Sequence, residues 1–485
     1  MSIREFLDLL KMVGGFDTEK IMLFFEQAGS LEDSLFFTSD SRNVKKNAVF
    51  IAIKGERVDG HAYVNQSFQN GALLAIIEDP GPYEGLCLKV ESVVRLINQL
   101  ASYIYLKNSG YTIAVTGSNG KTTTKEWIKN LLIFFESSPS VFANSGNMNT
   151  EIGLPLCILN DMTEPKKRSV IEMGMSEMGD IDFLVDTYKP DFPVILNIGT
   201  AHIGNTGSLE NTFKEKIKLL KHHAVGQPFS LNVSDPFLKR FYKQNQLKTP
   251  IFFGLSKDKL KGFSGVYLNG FRYRIENKSF LTDIKLLITS HQKESEMAIT
   301  LKGFFHQGLL LNLCASLAVV QSLAYDIESI HDFTRVFKTV KDRFETEFVD
   351  SHLFIKDCYN SSLESLGHAL ELLKHIKNEQ SFSKAYCILG SVAETGDFNS
   401  EIHEKIGKRL NDSPIDTVFL YIKDHSIRKI QKTYKGHVVL FDDIHTLAKA
   451  INRQRQKDKK AVFLFKASRS IQLEEVFNHV MDAVS

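Results

Sequence analysis

The stretch Ile113-Ala114-Val115-Thr116-Gly117-Ser118-Asn119-Gly120-Lys121-Thr122-Thr123-Thr124-Lys125 decides the fold of this chain. Its first four residues have the composition of a buried strand. Apolar residues follow the stretch at helical spacing: Trp127, Ile128, Leu131, Leu132 and Phe135. A strand, a glycine-rich turn and a helix in this order point backbone N–H groups at an anion bound at the positive helix end. The sequence therefore predicts a phosphate loop (residues 117–123) in an α/β domain with a mostly parallel sheet.

The side chains of the phosphate loop predict nucleotide binding. Lys121 would neutralise charge on the β- and γ-phosphates, and the hydroxyl of Thr122 would ligate a Mg²⁺ ion that bridges them. The loop is shorter than the usual GxxxxGK[ST] pattern, since its first glycine is Gly117. A glycine-rich turn without a ligand is the alternative, and the combination of strand, lysine, hydroxyls and helix favours nucleotide binding. The expected contacts are Gly117, Ser118, Asn119, Gly120, Lys121, Thr122 and Thr123.

The composition argues against several classes of protein. The 485 residues include 59 Lys and Arg against 57 Asp and Glu, and a net charge of +2 is too small for bulk attraction to nucleic acid or anionic membrane. The five cysteines form no CxxC pair, which fits a reducing compartment. We find neither a long apolar run nor a signal-peptide pattern. We expect a cytoplasmic protein with no membrane insertion and no nucleic-acid partner.

Length and patterning predict three domains, at roughly 150 residues per domain. Residues 1–108 alternate short apolar runs with polar turns and predict a small α/β domain, which a polar linker at 107–110 follows. Residues 109–337 predict a central domain with a mostly parallel sheet. Its segment 258–302 predicts an antiparallel meander with turns at Asn-Gly and Asn-Lys pairs. Residues 338–485 alternate strands and helices again and predict a Rossmann-like domain.

The phosphate loop resembles the TGxxGKTT signature of the Mur ligases, the ATP-dependent amide-forming enzymes of peptidoglycan precursor synthesis. Similar motifs cover nearly the whole chain. The resemblance implies a UDP-sugar-binding first domain, a central ATPase domain, a C-terminal ligase domain, and the use of ATP and Mg²⁺. The motifs are most similar to those of members that add D-alanyl-D-alanine to UDP-N-acetylmuramoyl-tripeptide through an acyl phosphate. These two small molecules are therefore the implied substrates.

In the first domain, the resemblance implies a pocket for the UDP-sugar. The segments Asp40-Ser41-Arg42 and Asp59-Gly60-His61 follow the family pattern in order. The implied substrate contacts are Ser41, Arg42, Asp59 and His61. An Asp-Ser-Arg triplet taken alone is more often a capped surface turn, and that alternative stays open.

In the central domain, residues 144–155 resemble the family segment GNxNxxxGxP, which lines the cleft for acceptor and nucleotide. The implied substrate contacts are Asn147, Asn149 and Thr150. Glu172 and His202 each follow a strand, at the edge of the sheet where ligands bind. We predict that both hold a metal ion together with Thr122. A lone Glu or His is more often a satisfied structural group.

Lys216 matches the lysine that is carbamylated in Mur ligases, where the modification turns a cation into a carboxylate-like ligand. Its neighbours Glu215 and Ile217 depart from the small residues of the family pattern. Lys214 and Lys218 lie on the same helical stretch, and any of the three lysines could instead face solvent. The residues that we expect to act in catalysis are Lys121, His202 and Lys216.

Motifs near and within the last domain imply further contacts. Asn312 resembles an asparagine that approaches adenine, and Arg343 resembles an arginine that reaches the nucleotide phosphates when the domains close. Residues 357–365 resemble the pattern DxYNAxPxS, with Leu363 in place of the proline. The implied contacts to the amine substrate are Asp357, Tyr359 and Asn360. Two further stretches match family patterns: Gly390-Ser-Val-Ala-Glu394-Thr-Gly396 and Lys466-Ala-Ser-Arg469.

Other interpretations stay open. A Mur-type ligase that adds a diamino acid would carry a DNPR segment, which this sequence lacks, and folylpolyglutamate synthetases lack the first domain. From a different class, the chain could be a P-loop ATPase with a nucleotide-gated binding or regulatory role. ATP turnover without an amine acceptor would favour that class. We expect a monomer.

Overall fold

A computed structural model describes residues 1–27, 34–55, 58–136, 140–276, 279–290, 293–327, 335–338, 343–379 and 382–483. The helices are α1 (Ile3–Val13), α2 (Thr18–Gln27), α3 (Val64–Gln69), α4 (Val93–Asn108), α5 (Lys121–Glu136), α6 (Gly153–Asp161), α7 (Asp180–Tyr188), α8 (Ile203–Thr206), α9 (Leu209–Lys216), α10 (Pro236–Asn245), α11 (Gln307–Ser322), α12 (Leu363–Glu379), α13 (Asn399–Leu410), α14 (Ile444–Lys457) and α15 (Leu473–Asp482).

The strands are β1 (Phe36–Thr38), β2 (Ala48–Ile51), β3 (Ala72–Ile77), β4 (Cys87–Lys89), β5 (Tyr111–Thr116), β6 (Val141–Ala143), β7 (Arg168–Glu172), β8 (Phe192–Ile195), β9 (Phe229–Asn232), β10 (Pro250–Leu255), β11 (Ser264–Glu276), β12 (Ser279–Ser290), β13 (Lys293–Lys302), β14 (Glu345–Val349), β15 (His352–Asp357), β16 (Lys384–Leu389), β17 (Thr417–Tyr421), β18 (Val438–Phe441) and β19 (Ala461–Lys466). The alternation of helices and strands confirms the predicted α/β class.

The chain forms two compact units. The first contains the described parts of residues 1–114, 138–175 and 179–191. Its parallel sheet has the order β1-β2-β3-β4, and the apolar side chains of β2 and β3 pack into one core. The first half of β5, followed by the parallel pair β7 and β6, also lies in this unit. Strands of parallel sheets are covered on both faces, which explains their nearly continuous apolar composition.

The second unit contains the described parts of residues 115–137, 176–178 and 192–485. Its first sheet has the strand order β13-β12-β11-β10-β9-β8, followed by the second half of β5. The pairs from β8 to β11 are parallel, and β11, β12 and β13 form an antiparallel meander.

The C-terminal region of this unit (residues 343–483) has its own sheet, in the order β14-β15-β19-β16-β17-β18. Only its edge strand β14 pairs antiparallel, as expected for a Rossmann-like sheet with one added strand. Aromatic rings form its core. Phe463 stacks on Phe354 at 4.9 Å and on Tyr386 at 5.0 Å between ring centroids.

Two sequence expectations about local structure need correction. The predicted turn at Asn269-Gly270 is wrong: β11 continues through it with a register shift between Leu268 and Gly270. A hairpin turn needs its flanking strands to pair with each other, but both halves of β11 pair with β12, so the extra residue forms a bulge. The predicted turn at residues 277–278 lies outside the described residues. The first half of the predicted linker belongs to α4, which ends at Asn108.

Among the described residues, no helix combines the length and the apolar composition needed to cross a bilayer.

Two histidines stack where α11 meets α12. The rings of His306 and His368 lie 5.5 Å apart and 9° from parallel. His306 also caps α11, because its Nδ1 accepts a hydrogen bond from the backbone N–H of Leu309 at 3.3 Å. Desolvation lowers the pKa of His306 well below 6.5, and the nearby His368 and Lys466 lower it further. Desolvation lowers the pKa of His368 too. The charged groups around His368 are Arg409, Glu364, Lys466 and Glu371.

We expect this histidine pair to make the protein less stable in acid. Below pH 6.5 the unfolded chain binds protons that the folded chain does not, so the free energy of unfolding decreases as the pH is lowered. The decrease is at most about 1.4 kcal/mol per pH unit for each histidine. His306→Asn keeps a helix-capping side chain and removes one titrating group. Urea unfolding at neutral and acidic pH should therefore show a smaller acid loss in His306→Asn. Equal losses in the two proteins would contradict this prediction.

Candidate active site

The predicted phosphate loop connects β5 to α5. Lys121 is the first residue of α5, and its Nζ donates to the carbonyl oxygens of Gly117 at 2.8 Å and Ser118 at 3.4 Å. Thr122 and Thr123 follow in the first helical turn, where both are buried. The structure thus has the strand, turn and helix that the sequence predicts, with the ammonium group of Lys121 folded over the loop.

A segment after β8 fixes the shape of the phosphate loop. The side chain of Asn197 bonds both backbone groups of Asn119: its Oδ1 accepts from the N–H at 2.8 Å, and its Nδ2 donates to the carbonyl at 2.9 Å. The Oγ of Ser118 accepts from the N–H of Gly199 at 2.8 Å. Asn197 was not among the predicted site residues. Its position after a strand, next to the phosphate-loop strand, was the available indication.

Asn312 lies on α11 directly beside the phosphate loop. Gly120 has a φ of +88°, and a Cβ atom at this position would lie 2.4 Å from Oδ1 of Asn312. Any other residue here would adopt a strained backbone conformation and would displace the side chain of Asn312, so glycine is favoured at this position. The structure thus places Asn312 against the phosphate loop, and its contact with adenine stays a prediction.

Arg343 connects the phosphate loop with the C-terminal region. Its Nη2 donates to Oγ1 of Thr122 at 3.1 Å. Its guanidinium group also lies over the ring of Tyr359, 4.2 Å from the centroid, and Arg469 lies 5.6 Å from the same ring. Arg343 and Tyr359, which were predicted from separate motifs, thus contact each other, and Arg343 also contacts the hydroxyl that is predicted to ligate Mg²⁺.

The loop that contains His202 also contacts the C-terminal region. The Nδ1 of His202 lies 2.5 Å from Oε2 of Glu394, and this contact lowers the pKa of Glu394. The backbone N–H of Gly204 donates to the carbonyl of Glu394 at 3.1 Å. The carboxylate of Glu364 accepts from the N–H of Thr200 at 3.1 Å and from its hydroxyl at 2.9 Å. Glu364 was not among the predicted site residues, because its partner Thr200 lies 164 residues away in the sequence.

The structure distinguishes Lys216 from its neighbouring lysines. Lys214 is exposed, and Lys218 donates to Oε2 of Glu215 at 2.9 Å. Lys216 is fully buried, and its Nζ has no hydrogen-bond partner within the described part of the chain. Burial lowers the pKa of Lys216 well below 10.5, and the charge of Lys121 lowers it further. The low-dielectric surroundings thus favour a neutral amine at Lys216.

Glu172 and the asparagine-rich segment meet in the first unit. Glu172 is buried at the end of β7, and its Oε1 accepts from Nδ2 of Asn149 at 2.5 Å. Asn144 accepts from the backbone N–H of Glu172 at 2.8 Å. Thr150 bonds the backbone at the start of α6, and Asn147 is exposed. The metal-ligand role of Glu172 and the substrate contacts of Asn147, Asn149 and Thr150 stay predictions.

The Asp40-Ser41-Arg42 segment forms a capped turn in the first unit. The guanidinium group of Arg42 donates to both carboxylate oxygens of Asp40, at 2.9 and 2.8 Å, and Asp40 also accepts from the N–H of Arg42. Ser41 is buried, whereas the side chain of Arg42 is 85% exposed. The turn therefore has the geometry of a capped surface turn, and the exposed side chain of Arg42 remains accessible to a ligand.

Asp59 and His61 form a second turn in the same domain. The Nδ1 of His61 lies 2.7 Å from Oδ1 of Asp59, and its Nε2 accepts from the backbone N–H groups of Glu78 and Asp79 at 3.0 and 3.1 Å. Both ring nitrogens are thus used within the domain. His61 is suited to hold the segment after β3 in place, and its direct contact with substrate stays a prediction.

A buried lysine holds the segment predicted to bind the amine substrate. The Nζ of Lys466 donates to Oδ2 of Asp357 at 2.5 Å and to the carbonyl oxygen of Asn360 at 3.2 Å. Lys466 is almost fully buried, whereas Asn360 is exposed. Asp357 is thus the partner of a buried charge, and the contacts of Asp357, Tyr359 and Asn360 with an amine substrate stay predictions.

Three family models match the chain: the Mur ligase family catalytic domain at residues 35–103, the Mur ligase middle domain at residues 115–320, and the Mur ligase glutamate ligase domain at residues 342–469. These models cover most of the sequence and contain both the phosphate loop and the C-terminal motifs. The chain belongs to the Mur ligase family.

Individual relatives match over nearly the full length. The UDP-N-acetylmuramoyl-tripeptide–D-alanyl-D-alanine ligase of Bacillus subtilis (strain 168) is 30% identical over 465 residues, which are 92% of this chain and 93% of that protein. The enzyme of the same name from Haemophilus influenzae is 26% identical over 92% of this chain and 93% of its own. The crystal structure of MurF ligase from Thermotoga maritima in complex with ADP has a TM-score of 0.77 and 32% identity, covering 93% of this chain and 98% of that chain.

Proposed function

We propose that this protein joins D-alanyl-D-alanine to UDP-N-acetylmuramoyl-tripeptide by an ATP-dependent amide bond, in the cytoplasmic synthesis of peptidoglycan precursors. The contact between the phosphate loop and the C-terminal region carries the proposal. Arg343 donates to Thr122, and Oγ of Ser362 donates to Oδ1 of Asn119 at 3.2 Å. A nucleotide-gated ATPase needs only a phosphate site, whereas a ligase must form its activated carboxyl group next to an amine site.

The reaction has two steps that need no protein nucleophile. A terminal carboxylate oxygen of the tripeptide attacks the γ-phosphorus of ATP, and ADP leaves with the electron pair of the broken bond, which gives an acyl phosphate. The amine nitrogen of the dipeptide then attacks the acyl carbon. Phosphate leaves with the bonding electrons, and the amine loses a proton to give the amide. Both steps develop negative charge on oxygen atoms, so catalysis depends on positioned positive groups.

The residues around the phosphate loop are suited to this charge. Lys121 and Arg343 would neutralise the phosphate oxygens, and backbone N–H groups at the start of α5 would bind them. Thr122 would supply a hydroxyl and His202 an imidazole as metal ligands. The Nζ of Lys216 is buried without a hydrogen-bond partner among the described residues, which fits a lysine whose side chain is modified to carry an anionic group. Bound Mg²⁺ would supply further charge neutralisation between the phosphates. Glu172 stays a predicted metal ligand.

Lys216 would hold a carbamate. A neutral lysine amine attacks carbon dioxide, forms an N–C bond and releases one proton, which leaves a carboxylate at the end of the side chain. The lowered pKa of Lys216 favours the required neutral amine. The modification would also place a negative charge where the positive charge of Lys121 acts, which is favourable.

The two organic substrates would bind at separate segments. Ser41, Arg42 and Asp59 would contact the UDP-sugar in the first domain, with His61 holding the wall of that pocket. Asn147, Asn149 and Thr150 would line the acceptor cleft, and Asn312 would contact adenine. Tyr359 and Asn360 would contact the dipeptide. Separate entry of nucleotide, acceptor and amine accounts for three domains in one chain, which we expect to act as a monomer.

Phosphate release from Mg-ATP tests the proposal. Purified protein is given UDP-N-acetylmuramoyl-tripeptide, D-alanyl-D-alanine, both or neither, and the products are identified by mass. We expect phosphate release and amide formation only with both substrates. Release that ignores both substrates, without a product, would support the ATPase alternative. A parallel reaction contains the UDP-N-acetylmuramoyl-dipeptide and a diamino acid, and a product formed only in that reaction would identify a different Mur-type ligase.

A further inference from the structure

A cavity outside the candidate active site is lined by lysines. It has a volume of about 580 Å³ and lies in the second unit, between the end of α10 and the segment that leads into β11. This volume is in the range of small-molecule binding sites. The charged side chains that line it are Lys243, Lys248 and Lys261, and no carboxylate of the described residues lines it. We call it the basic cavity.

The basic cavity lies at the sheet edge opposite to the phosphate loop. Strands β8, β9, β10 and β11 are parallel. Asn197, which bonds the phosphate loop, follows the end of β8, whereas Thr249 and Phe263 stand just before the starts of β10 and β11. A strand of six residues, such as β10, is roughly 20 Å long. A ligand in the basic cavity would therefore bind outside the ATP site.

The carboxylates next to this stretch of the chain already have partners. Lys239 lies 3.2 Å from Oδ1 of Asp258, and Lys259 lies 2.5 Å from Oε1 of Glu294. These two ion pairs involve lysines that do not line the basic cavity. The lysines of the cavity have no carboxylate partner among the described residues.

The position of the three cavity lysines is not explained by local structure alone. A lysine in the last turn of a helix is favoured by the helix dipole, which accounts for Lys243 on α10. It does not account for Lys248 and Lys261, which lie outside the helices. Positive charges from separate segments around one cavity repel each other, and a bound anion would offset this repulsion.

Tyr242 adds a hydrogen-bond donor to the wall of the basic cavity. The residue is only 7% exposed, and its ring packs edge-on against Phe252 and Phe263, with 4.7 and 5.6 Å between ring centroids. Its hydroxyl has no hydrogen-bond partner among the described residues, although buried polar groups usually have one. Burial raises the pKa of Tyr242, so the hydroxyl stays protonated and can donate. An acceptor on a ligand would satisfy it.

These groups define the chemistry of the ligand. Ammonium groups only donate hydrogen bonds, and phosphate oxygens accept them, with lysine acting as a point charge. Three cations on separate segments fit a ligand with several charged oxygen atoms. We propose that the basic cavity binds a phosphate-bearing anion with at least two negative charges, at a site separate from the ATP site. This inference does not depend on the proposed function, because none of its residues belongs to the candidate active site.

Isothermal titration calorimetry with pyrophosphate tests the inference, using the full-length protein without magnesium. We expect Lys248→Ala and Lys261→Ala each to weaken binding by about 3- to 10-fold, because each removes a charged donor. Tyr242→Phe removes only the hydroxyl and should weaken binding by about 3- to 10-fold. Lys257→Ala is the matched control: this exposed lysine does not line the cavity, and affinity should stay within about twofold. A titration of Lys121→Ala identifies any pyrophosphate bound at the phosphate loop.

A second measurement identifies the source of the phosphate group. Cosedimentation is measured with phosphatidylcholine vesicles that contain or lack phosphatidylglycerol. Pyrophosphate binding without vesicle binding would assign the cavity to a soluble phosphate compound. Binding to the phosphatidylglycerol vesicles that pyrophosphate displaces would assign it to a lipid headgroup. Both results support a phosphate site.

Four results would overturn the inference. The first is pyrophosphate binding that only Lys121→Ala weakens, or no binding of pyrophosphate and of either vesicle. The second is an equal loss in Lys257→Ala and Lys261→Ala, which would show diffuse attraction to surface charge. The third is unchanged affinity in Tyr242→Phe, which would show that the ligand binds the exposed lysines and not the cavity. The fourth is binding of a polyglutamate peptide but not of pyrophosphate, which would indicate an acidic protein partner instead.

Discussion

Lys121→Ala will nearly abolish ligation, with a fall in kcat of at least about 10³-fold. Lys121 begins α5, and its Nζ lies within 2.8 Å of a phosphate-loop carbonyl, from which it can turn to phosphate oxygens. Without this charge, the negative charge on the transferred phosphoryl group is no longer neutralised by the lysine of the phosphate loop. Single-turnover formation of ADP, with both organic substrates present, measures the loss directly.

Lys129→Ala is the control for this experiment. Lys129 lies on the same helix, and its Nζ is 3.9 Å from Glu126, a partly exposed ion pair of small energetic weight. We expect its rate to stay within about twofold of the unmodified protein. A Lys121→Ala protein that retained more than about a tenth of the rate would show that the phosphate loop does not neutralise the transferred group.

Lys121 also affects Lys216, so the two substitutions should not be additive. The charge of Lys121 helps to lower the pKa of Lys216. In Lys121→Ala this repulsion is gone, the pKa of Lys216 rises, and a smaller fraction of its amine is neutral and able to form a carbamate. Part of the loss in Lys121→Ala therefore arises at Lys216, and the double variant should lose less than the product of the two single losses.

The sequence predicted those parts of the site that depend on neighbouring residues. Gly120, Lys121 and Thr122 stand together between a strand and a helix, so their geometry follows from local structure. Local sequence could not show which lysine on this stretch is buried, because burial depends on the fold around α9. The three candidates were Lys214, Lys216 and Lys218. Tertiary structure leaves Lys214 exposed and Lys216 buried.

The contacts with the C-terminal region were the hardest to predict. Family motifs indicated that Arg343 approaches the nucleotide phosphates, but they did not indicate that it stacks on Tyr359 or that it donates to Thr122, 221 residues away. The wrong turn at Asn269-Gly270 has a similar cause. The local preference of Asn-Gly for a turn is outweighed by the pairing of both halves of β11 with β12. This pairing is a long-range interaction that local sequence does not reveal.

Lys216→Ala should reduce kcat by about 10²- to 10³-fold, because the site loses the anionic group that the proposed carbamate supplies. Lys214→Ala is the matched control on the same helix: this lysine is exposed, and we expect activity within about twofold. Each variant is measured for ligation at saturating substrates. Equal activity of the two variants would contradict a catalytic role for Lys216.

The carbamate itself can be observed without measuring activity. Protein equilibrated with ¹³C-bicarbonate should show one carbamate carbon by NMR, which Lys216→Ala lacks and Lys214→Ala retains. The pH dependence has a defined sign: the pKa of Lys216 is lowered, so its amine is neutral down to that pKa and is protonated below it. The carbamate signal and the ligation rate should therefore fall together as the solution is acidified. A ligation rate that persists in protein without the carbamate signal would show that the buried amine acts unmodified.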